Sequence, residues 1–329
     1  MFHRTLWERR LHQGGSAAKG LSLTSDQVVV HERCTRLVGL DRWTGSLRWD
    51  VSVGTYPRAV VTAGDRCLVI AQNSDQLSCL DVQTGALLWN SELPRWSGHV
   101  VTTADTVLVG GWRGYTPLMA FDLQSGARRW DTDRLDTVLP VPAGEGVLVG
   151  APGGTRIRLV DRCNGEELSC WRLPEPLISS DDRPAFTAVG ADRFLVRCGQ
   201  RSVVDIRLSS ADVRELIRAE ADLVSTAVEY TAGVLWLREL RGGYVAADPA
   251  DGHVLWRVDI GQPLIDRVVW AGAGFVVASS NGGLFLLDSV GQVLKRAAVA
   301  RRIAALRSAR SGELLVRTKG TLLAVTVLD

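Results

Sequence analysis

The chain has 329 residues, which at roughly 150 residues per domain would suggest about two domains. Hydrophobic residues make up 46% and charged residues 22%, enough for a sizeable core and unlike a disordered or fibrous chain. Lys+Arg of 38 against Asp+Glu of 36 leaves a net charge of +2, which excludes the broad basic surface of a non-specific nucleic-acid binder. No apolar run of about 18 residues exists, so no membrane-spanning helix is expected.

In chain order, the first element is a strand-like stretch at Arg4–Arg9 carrying Trp7. A β-branched run at Val28–Val30 follows, then Leu40-Asp41-Arg42-Trp43-Thr44-Gly45-Ser46-Leu47-Arg48-Trp49. The same pair returns as Leu68–Ile70 with Leu80-Asp81-Val82-Gln83-Thr84-Gly85-Ala86-Leu87-Leu88-Trp89. A third copy has Val107–Val109, Asp122, Gly126 and Trp130, and a fourth has Val147–Val149, Asp161, Gly165 and a displaced Trp171. The fifth, Phe194–Val196, leads into a badly eroded motif around Arg207 to Ala211. Val234–Trp236 with Asp248, Gly252 and Trp256 restores the pattern. Phe275–Val277 with Asp288 and Gly291 lacks the Trp, and Leu314–Val316 is followed only by Thr321–Thr326. The aspartates at 41, 81, 122 and 161 are 40, 41 and 39 apart, and those at 248 and 288 are 40 apart.

One unit of about 40 residues explains both anchors. The Asp-x-x-Thr-Gly stretch is expected to be a tight hairpin in which Gly takes φ > 0 and the Asp and Thr side chains satisfy turn backbone. The Trp four residues on, as in Gly45 to Trp49, then lies on an outer strand and fills the wedge between sheets. A four-stranded unit cannot bury both faces alone; radial packing does so, giving a single β-propeller domain over residues 1–329. The 11 Trp against 6 Phe and 4 Tyr fit such a reused position. The chain ends on a third strand and begins on an outer one, with Trp7 in the place of Trp49, so the N-terminal strand should complete the last blade. Eight inner runs plus this closure predict eight blades; seven would require residues 186–220 to be an insertion.

The LD-x-x-TG-x-x-x-W repeat resembles the tryptophan-docking repeat of the pyrroloquinoline-quinone (PQQ)-like propellers, over nearly the whole chain. That superfamily includes quinoprotein alcohol dehydrogenases, the assembly lipoprotein of the BAM complex, and sensor regions of some actinobacterial kinases. The resemblance implies the fold; function must be argued from the site. Quinoprotein dehydrogenases place adjacent cysteines beside the quinone and hold Ca²⁺ with acidic and amide side chains. Here no two cysteines are adjacent, and Asp248-Pro-Ala-Asp251-Gly252 reads as a hairpin turn. Neither PQQ nor Ca²⁺ is expected. Nor is a metal site: the five histidines, His3, His12, His31, His99 and His253, lie in different units. Cys163 and Cys170 sit across one hairpin and could meet, yet a reduced state is expected. The opening residues carry no apolar h-region, so a cytoplasmic location is expected.

Propeller geometry places outer-to-inner connections and second-to-third-strand connections on one face, around the channel mouth. That loop face carries Tyr56, Arg58, Arg95, Trp96, His99, Trp112, Arg113 and Tyr115 from one part of the chain. It also carries Asp181, Asp182, Arg183, Glu239, Arg241, Tyr244, Asp266 and Arg267. Aromatic residues interleaved with Arg are typical of binding hot spots, so a face for a protein, peptide or small-molecule ligand is expected. The alternative is a cofactor-independent lyase, cyclase or hydrolase of bacterial small-molecule biosynthesis, with His99, Asp181 and Asp182 as acid–base groups and Arg58, Arg95 and Arg113 as anion partners.

Overall fold

The computed structural model describes residues 3–12, 20–32, 35–55, 57–72, 74–111, 116–132, 139–179, 184–210, 212–224, 228–240, 243–310 and 312–327, without the side chains of Asp266 and Arg310. Every regular element among them is a strand, and the strands form eight antiparallel four-stranded sheets. Blade 1 runs from Leu21–Leu23 innermost, through Gln27–Glu32 and Arg36–Asp41, to Leu47–Ser52 outermost. Blades 2 to 7 repeat that order along the chain. Blade 8 takes its three inner strands, Ala305–Arg310, Glu313–Arg317 and Thr321–Val327, from the C-terminus. Its outer strand is the N-terminal His3–Arg10, antiparallel to Thr321–Val327 with Trp7 opposite Ala324. The expected eight blades and terminal closure are both present.

One expectation needs correction. The β-branched runs read as inner strands are the second strands of their blades: Val28–Val30 lies in Gln27–Glu32 and Phe194–Val196 in Arg193–Cys198. The innermost strands are less apolar, and some are three residues long, such as Leu21–Leu23 and Glu229–Thr231. The reason is solvation. A second strand is covered on both faces by neighbouring blades and reads as a continuous apolar run, whereas the innermost strand borders the channel. Val28, Val30, Leu68, Ile70, Val147 and Leu235 are accordingly wholly buried.

The hairpin motif behaves as its chemistry dictates. Asp41 Oδ1 accepts hydrogen bonds from the backbone N–H groups of Trp43 and Thr44 and from the Thr44 hydroxyl, while Gly45 N donates to Asp41 O. Asp81 and Asp122 repeat the arrangement, with Ser125 in place of Thr in the latter.

Each turn is also the seat for the preceding blade's indole. Trp49 Nε1 donates to the carbonyl of Val82, the residue after Asp81, at 2.8 Å. Trp89, Trp130 and Trp256 donate to Leu123, Arg162 and Ser289 at 3.0–3.1 Å. Trp7 closes the ring by donating to Arg42 at 2.8 Å. The ring face lies on the turn glycine: at Gly85, with φ 73°, a Cβ would stand 2.7 Å from the Trp49 ring. Two constraints therefore coincide on one residue. The backbone conformation disfavours a side chain, and the indole leaves no space for one.

Three junctions lack this device. Between blades 4 and 5, the displaced Trp171 packs with Leu173, Leu177, Ala185 and Phe186. Between blades 7 and 8, Lys295 stands at the docking position, opposite Leu286, and blade 8 has no hairpin to receive an indole. Between blades 5 and 6, two arginines substitute. Asp205, wholly buried at its side chain, pairs with Arg193 at 2.9 Å and Arg214 at 3.0 Å. Arg193 then donates to the carbonyl of Pro249, the residue after Asp248, and Arg214 to that of Ala250. A guanidinium clamp thus meets the same carbonyl that indoles meet elsewhere.

The turn carboxylates couple the fold to pH. Hydrogen bonding from Arg48, then from Thr44 and Trp43, holds Asp41 down to about 2 from an ordinary 3.8. Asp122 is lowered further by the Ser125 backbone N–H and Arg129. A carboxyl more acidic folded than unfolded adds stability above its unfolded value and loses it as pH falls through the folded one. Thermal stability should therefore be level above about pH 4 and fall towards pH 2. Calorimetry on D41N/D122N should show lower stability at neutral pH and a shallower acid decline.

Candidate functional site

Alternation of strand direction puts the outer-to-innermost connections and the second-to-third connections at one end of the ring. The connection from blade 2 to blade 3, ending at Trp96, brings three of the expected residues together, Arg58, Arg95 and Trp96. Ser97 opens the innermost strand of blade 3, Ser97–Thr102, and its N–H and hydroxyl both return to Pro94 O, at 3.2 and 2.8 Å. That closure forces Trp96 into a left-handed backbone, φ 75°, a conformation bulky residues avoid. The side chain is 40% exposed. Arg95 stands 5.2 Å and Arg58 5.3 Å from the indole centroid, within cation–π range.

Arg58 comes from the innermost strand of blade 2, Pro57–Ala63, and donates to Ser97 O at 2.9 Å. Its position crosses the blade boundary and ties the loop to the scaffold. Burial lowers its pKa, with Arg95 adding to that effect and Asp75 opposing it. The result is an aromatic plate flanked by two guanidiniums, supported from below by a rigid strand.

His99 is placed differently from its expected role. It lies in the same strand but is 4% exposed, with its Cβ against Gly110. The bulge between Ser97 and His99 offsets the two residues against Gly111 and Gly110. An acid–base group needs access to substrate, and the buried ring lacks it.

Tyr244 also departs from the loop rim. It is buried at 3%, edge-on to Trp236 at 5.9 Å, and its hydroxyl donates to Ile265 O across the blade boundary. Glu239 turns towards the outer strand, where it pairs with Arg257. Arg267 sits on the innermost strand of blade 7, Leu264–Trp270, with Nη1 3.6 Å from Glu229 Oε1. Tyr56, Trp112, Arg113, Tyr115, Asp181, Asp182, Arg183 and Arg241 lie outside the described residues, as does the Asp266 side chain.

Arg267 belongs to a second place. A cavity of about 610 Å³ follows the channel between blades 5 and 8, lined by Glu229, Tyr230, Arg267, Trp270, Phe186 and Ser308 among others. Glu229 accepts the Val268 N–H at 2.7 Å, which fixes its carboxylate on the wall. Glu229 and Tyr230 escape sequence reading because their three-residue innermost strand gives too short a pattern to reveal alternation, and Trp270 because it closes the seven-residue strand Leu264–Trp270 away from any repeat motif. Their signal would have been the polar and aromatic residues just before each apolar second strand.

The model of a family described as outer membrane protein assembly factor BamB matches residues 4–132, 35–182 and 153–328. Among solved structures, the fold is similar to the crystal structure of BamB from Moraxella catarrhalis, at 20% identity and TM-score 0.78 over 99% of this chain and 98% of that one. It is also similar to the computationally designed Ika8 protein (15% identity, TM-score 0.75, 96% of this chain and 98% of that one). Sqt1 from Saccharomyces cerevisiae shares 10% identity at TM-score 0.77 over 100% of both chains. At these identities the likeness concerns the fold alone. No curated protein matches the chain by sequence.

Trp96 offers a test of stored strain. Left-handed backbone costs a non-glycine residue about 1–2 kcal/mol. W96G and W96A both lose the ring contacts, but only glycine relieves the backbone. Thermal unfolding should find W96G the more stable of the two by about 1 kcal/mol.

Proposed function

The chain belongs to the family of outer membrane protein assembly factor BamB, and from that premise we propose that it is a non-catalytic propeller scaffold that holds a protein or peptide partner on its loop face. The observation that carries this reading is Trp96, half-exposed on a left-handed backbone between Arg58 and Arg95. Strain persists only where the surrounding structure enforces it, and it clusters at functional sites. Trp and Arg are the residues most enriched at energetic centres of interfaces. An exposed indole already held in position also loses little entropy on binding.

The same reading assigns no PQQ and no Ca²⁺. Among the described residues the channel cavity contributes one carboxylate, Glu229, which is engaged by Val268 and Arg267, and the sequence has no adjacent cysteines. Two exposed free thiols, Cys163 and Cys170, suit a reducing, cytoplasmic setting. The channel cavity favours a secondary role in small-ligand binding over catalysis, since its lining holds no histidine, cysteine or lysine among the described residues.

Photo-crosslinking in cells tests the proposal. A photoreactive residue at position 95 should yield a discrete protein adduct, while the same residue at Leu294, an exposed outer-strand position, should not. With the partner in hand, W96A should weaken binding by about 2 kcal/mol, roughly 30-fold. Equal adducts at both positions, or no loss with W96A, would remove the scaffold reading.

A further inference from the structure

We propose a separate binding site for a phosphate ester in the cleft between blades 7 and 8, on the same face as Trp96 but independent of it. A cavity of about 510 Å³ opens there between two connections, one carrying Arg301 and Arg302 and the other Lys319. All three side chains are exposed. Among the described residues, no carboxylate lies within ion-pair distance of any of them; Glu8, the single acid of the lining, leaves the cleft two charges positive. Elsewhere arginines commonly meet acids, as Arg48 does with Asp26 and Asp41 and Arg129 with Asp105 and Asp122.

The cations stand on loops that are fixed before any ligand arrives. The arginine loop is pinned on one side by Val299 N to Gly282 O at 3.0 Å. On the other, Ile303 N reaches Ser280 O at 3.3 Å and Ala304 N reaches Arg317 O at 2.8 Å. Gly282, φ 101°, makes this approach possible, because a Cβ there would collide with the Ala300 carbonyl. On the facing loop, the Thr318 hydroxyl accepts the N–H groups of Gly320 and Thr321 at 3.2 and 2.9 Å, shaping the turn that presents Lys319. Gly320 borders open space.

The ligand class follows from the lining. Two guanidinium forks and an ammonium supply more charge-assisted donors than one carboxylate can use, and match the several oxygens of a phosphate. Val299 and Leu323 provide an apolar wall for the organic part of the ester. The cleft lies at a junction that has neither a docked indole nor a receiving hairpin among the described residues: Lys295 holds the Trp position, and the third strand of blade 8, Thr321–Val327, takes His3–Arg10 as its outer neighbour.

Binding is measured by calorimetry with inorganic phosphate and glycerol 3-phosphate, and by co-sedimentation with phosphatidylglycerol against phosphatidylcholine vesicles. The wild type should bind in at least one phosphate arm, with the ester tighter than inorganic phosphate. R301Q/R302Q/K319Q should lose that binding, by about tenfold or more per charge removed, with its melting temperature unchanged. K319Q alone should show a partial loss, and W96A none. Tight glycerol 3-phosphate binding assigns a soluble ester; vesicle binding lost in the triple variant assigns a lipid headgroup. Absence of binding in every arm, or binding unchanged in a correctly folded triple variant, would overturn the proposal.

Discussion

A propeller blade exposes an apolar face that it cannot cover by itself, and the device that covers it here is a hydrogen-bonded indole. The ring of one blade lies flat on the turn glycine of the next, and its N–H meets the carbonyl directly after the turn aspartate. A buried indole N–H without a partner would carry a desolvation cost, so packing and hydrogen bonding select the same geometry. The glycine is then held by conformation and by volume, the aspartate by the turn amides, and the tryptophan by both. Because Trp7 repeats the contact with Arg42 and Gly45, the last boundary of the ring is sealed by the same physics as the four boundaries that dock Trp49, Trp89, Trp130 and Trp256.

This interaction explains how much was legible in the sequence. Asp41, Gly45 and Trp49 lie within nine residues, so their dependence shows as a local motif whose recurrence counts the blades. The closure was readable for the same reason, since Trp7 stands on the N-terminal strand where Trp49 stands on its own. The clamp between blades 5 and 6 was hidden. Arg193, Asp205 and Pro249 are far apart in sequence, and their joint replacement of an indole exists only in three dimensions. The placement of the apolar runs as second strands likewise depends on what covers them, which a linear pattern does not carry.

The loop face was legible in part. Arg58, Arg95 and Trp96 were singled out as an aromatic among cations, and the fold brings them together because blade 2 offers Arg58 to the carbonyl of Ser97. His99, three residues after Trp96, and Tyr244, beside a second-to-third connection of blade 6, were expected on the same face, yet both are buried. A residue near a loop is not thereby on the face; a bulge or one step of register decides. The strongest functional signal, the left-handed Trp96 backbone, is a three-dimensional strain with no residue-type signature beyond a bulky side chain where glycine would be expected. Rigid blades and specialised loops together suit a scaffold: the indole seats spend their chemistry on the ring, and the connections remain free to recognise partners.

The most direct test of the ring account is proton exchange at the indole Nε1 groups, followed by nitrogen-15 NMR of the intact chain. Trp7, Trp49, Trp89, Trp130 and Trp256 donate to neighbouring turns, whereas Trp43 and Trp96 are exposed. The first five should exchange slowly and together, at the rate of global opening, with Trp7 no faster than Trp49. A Trp7 indole proton exchanging as fast as that of Trp43, while Trp49 stays protected, would contradict closure of the ring by the N-terminal strand.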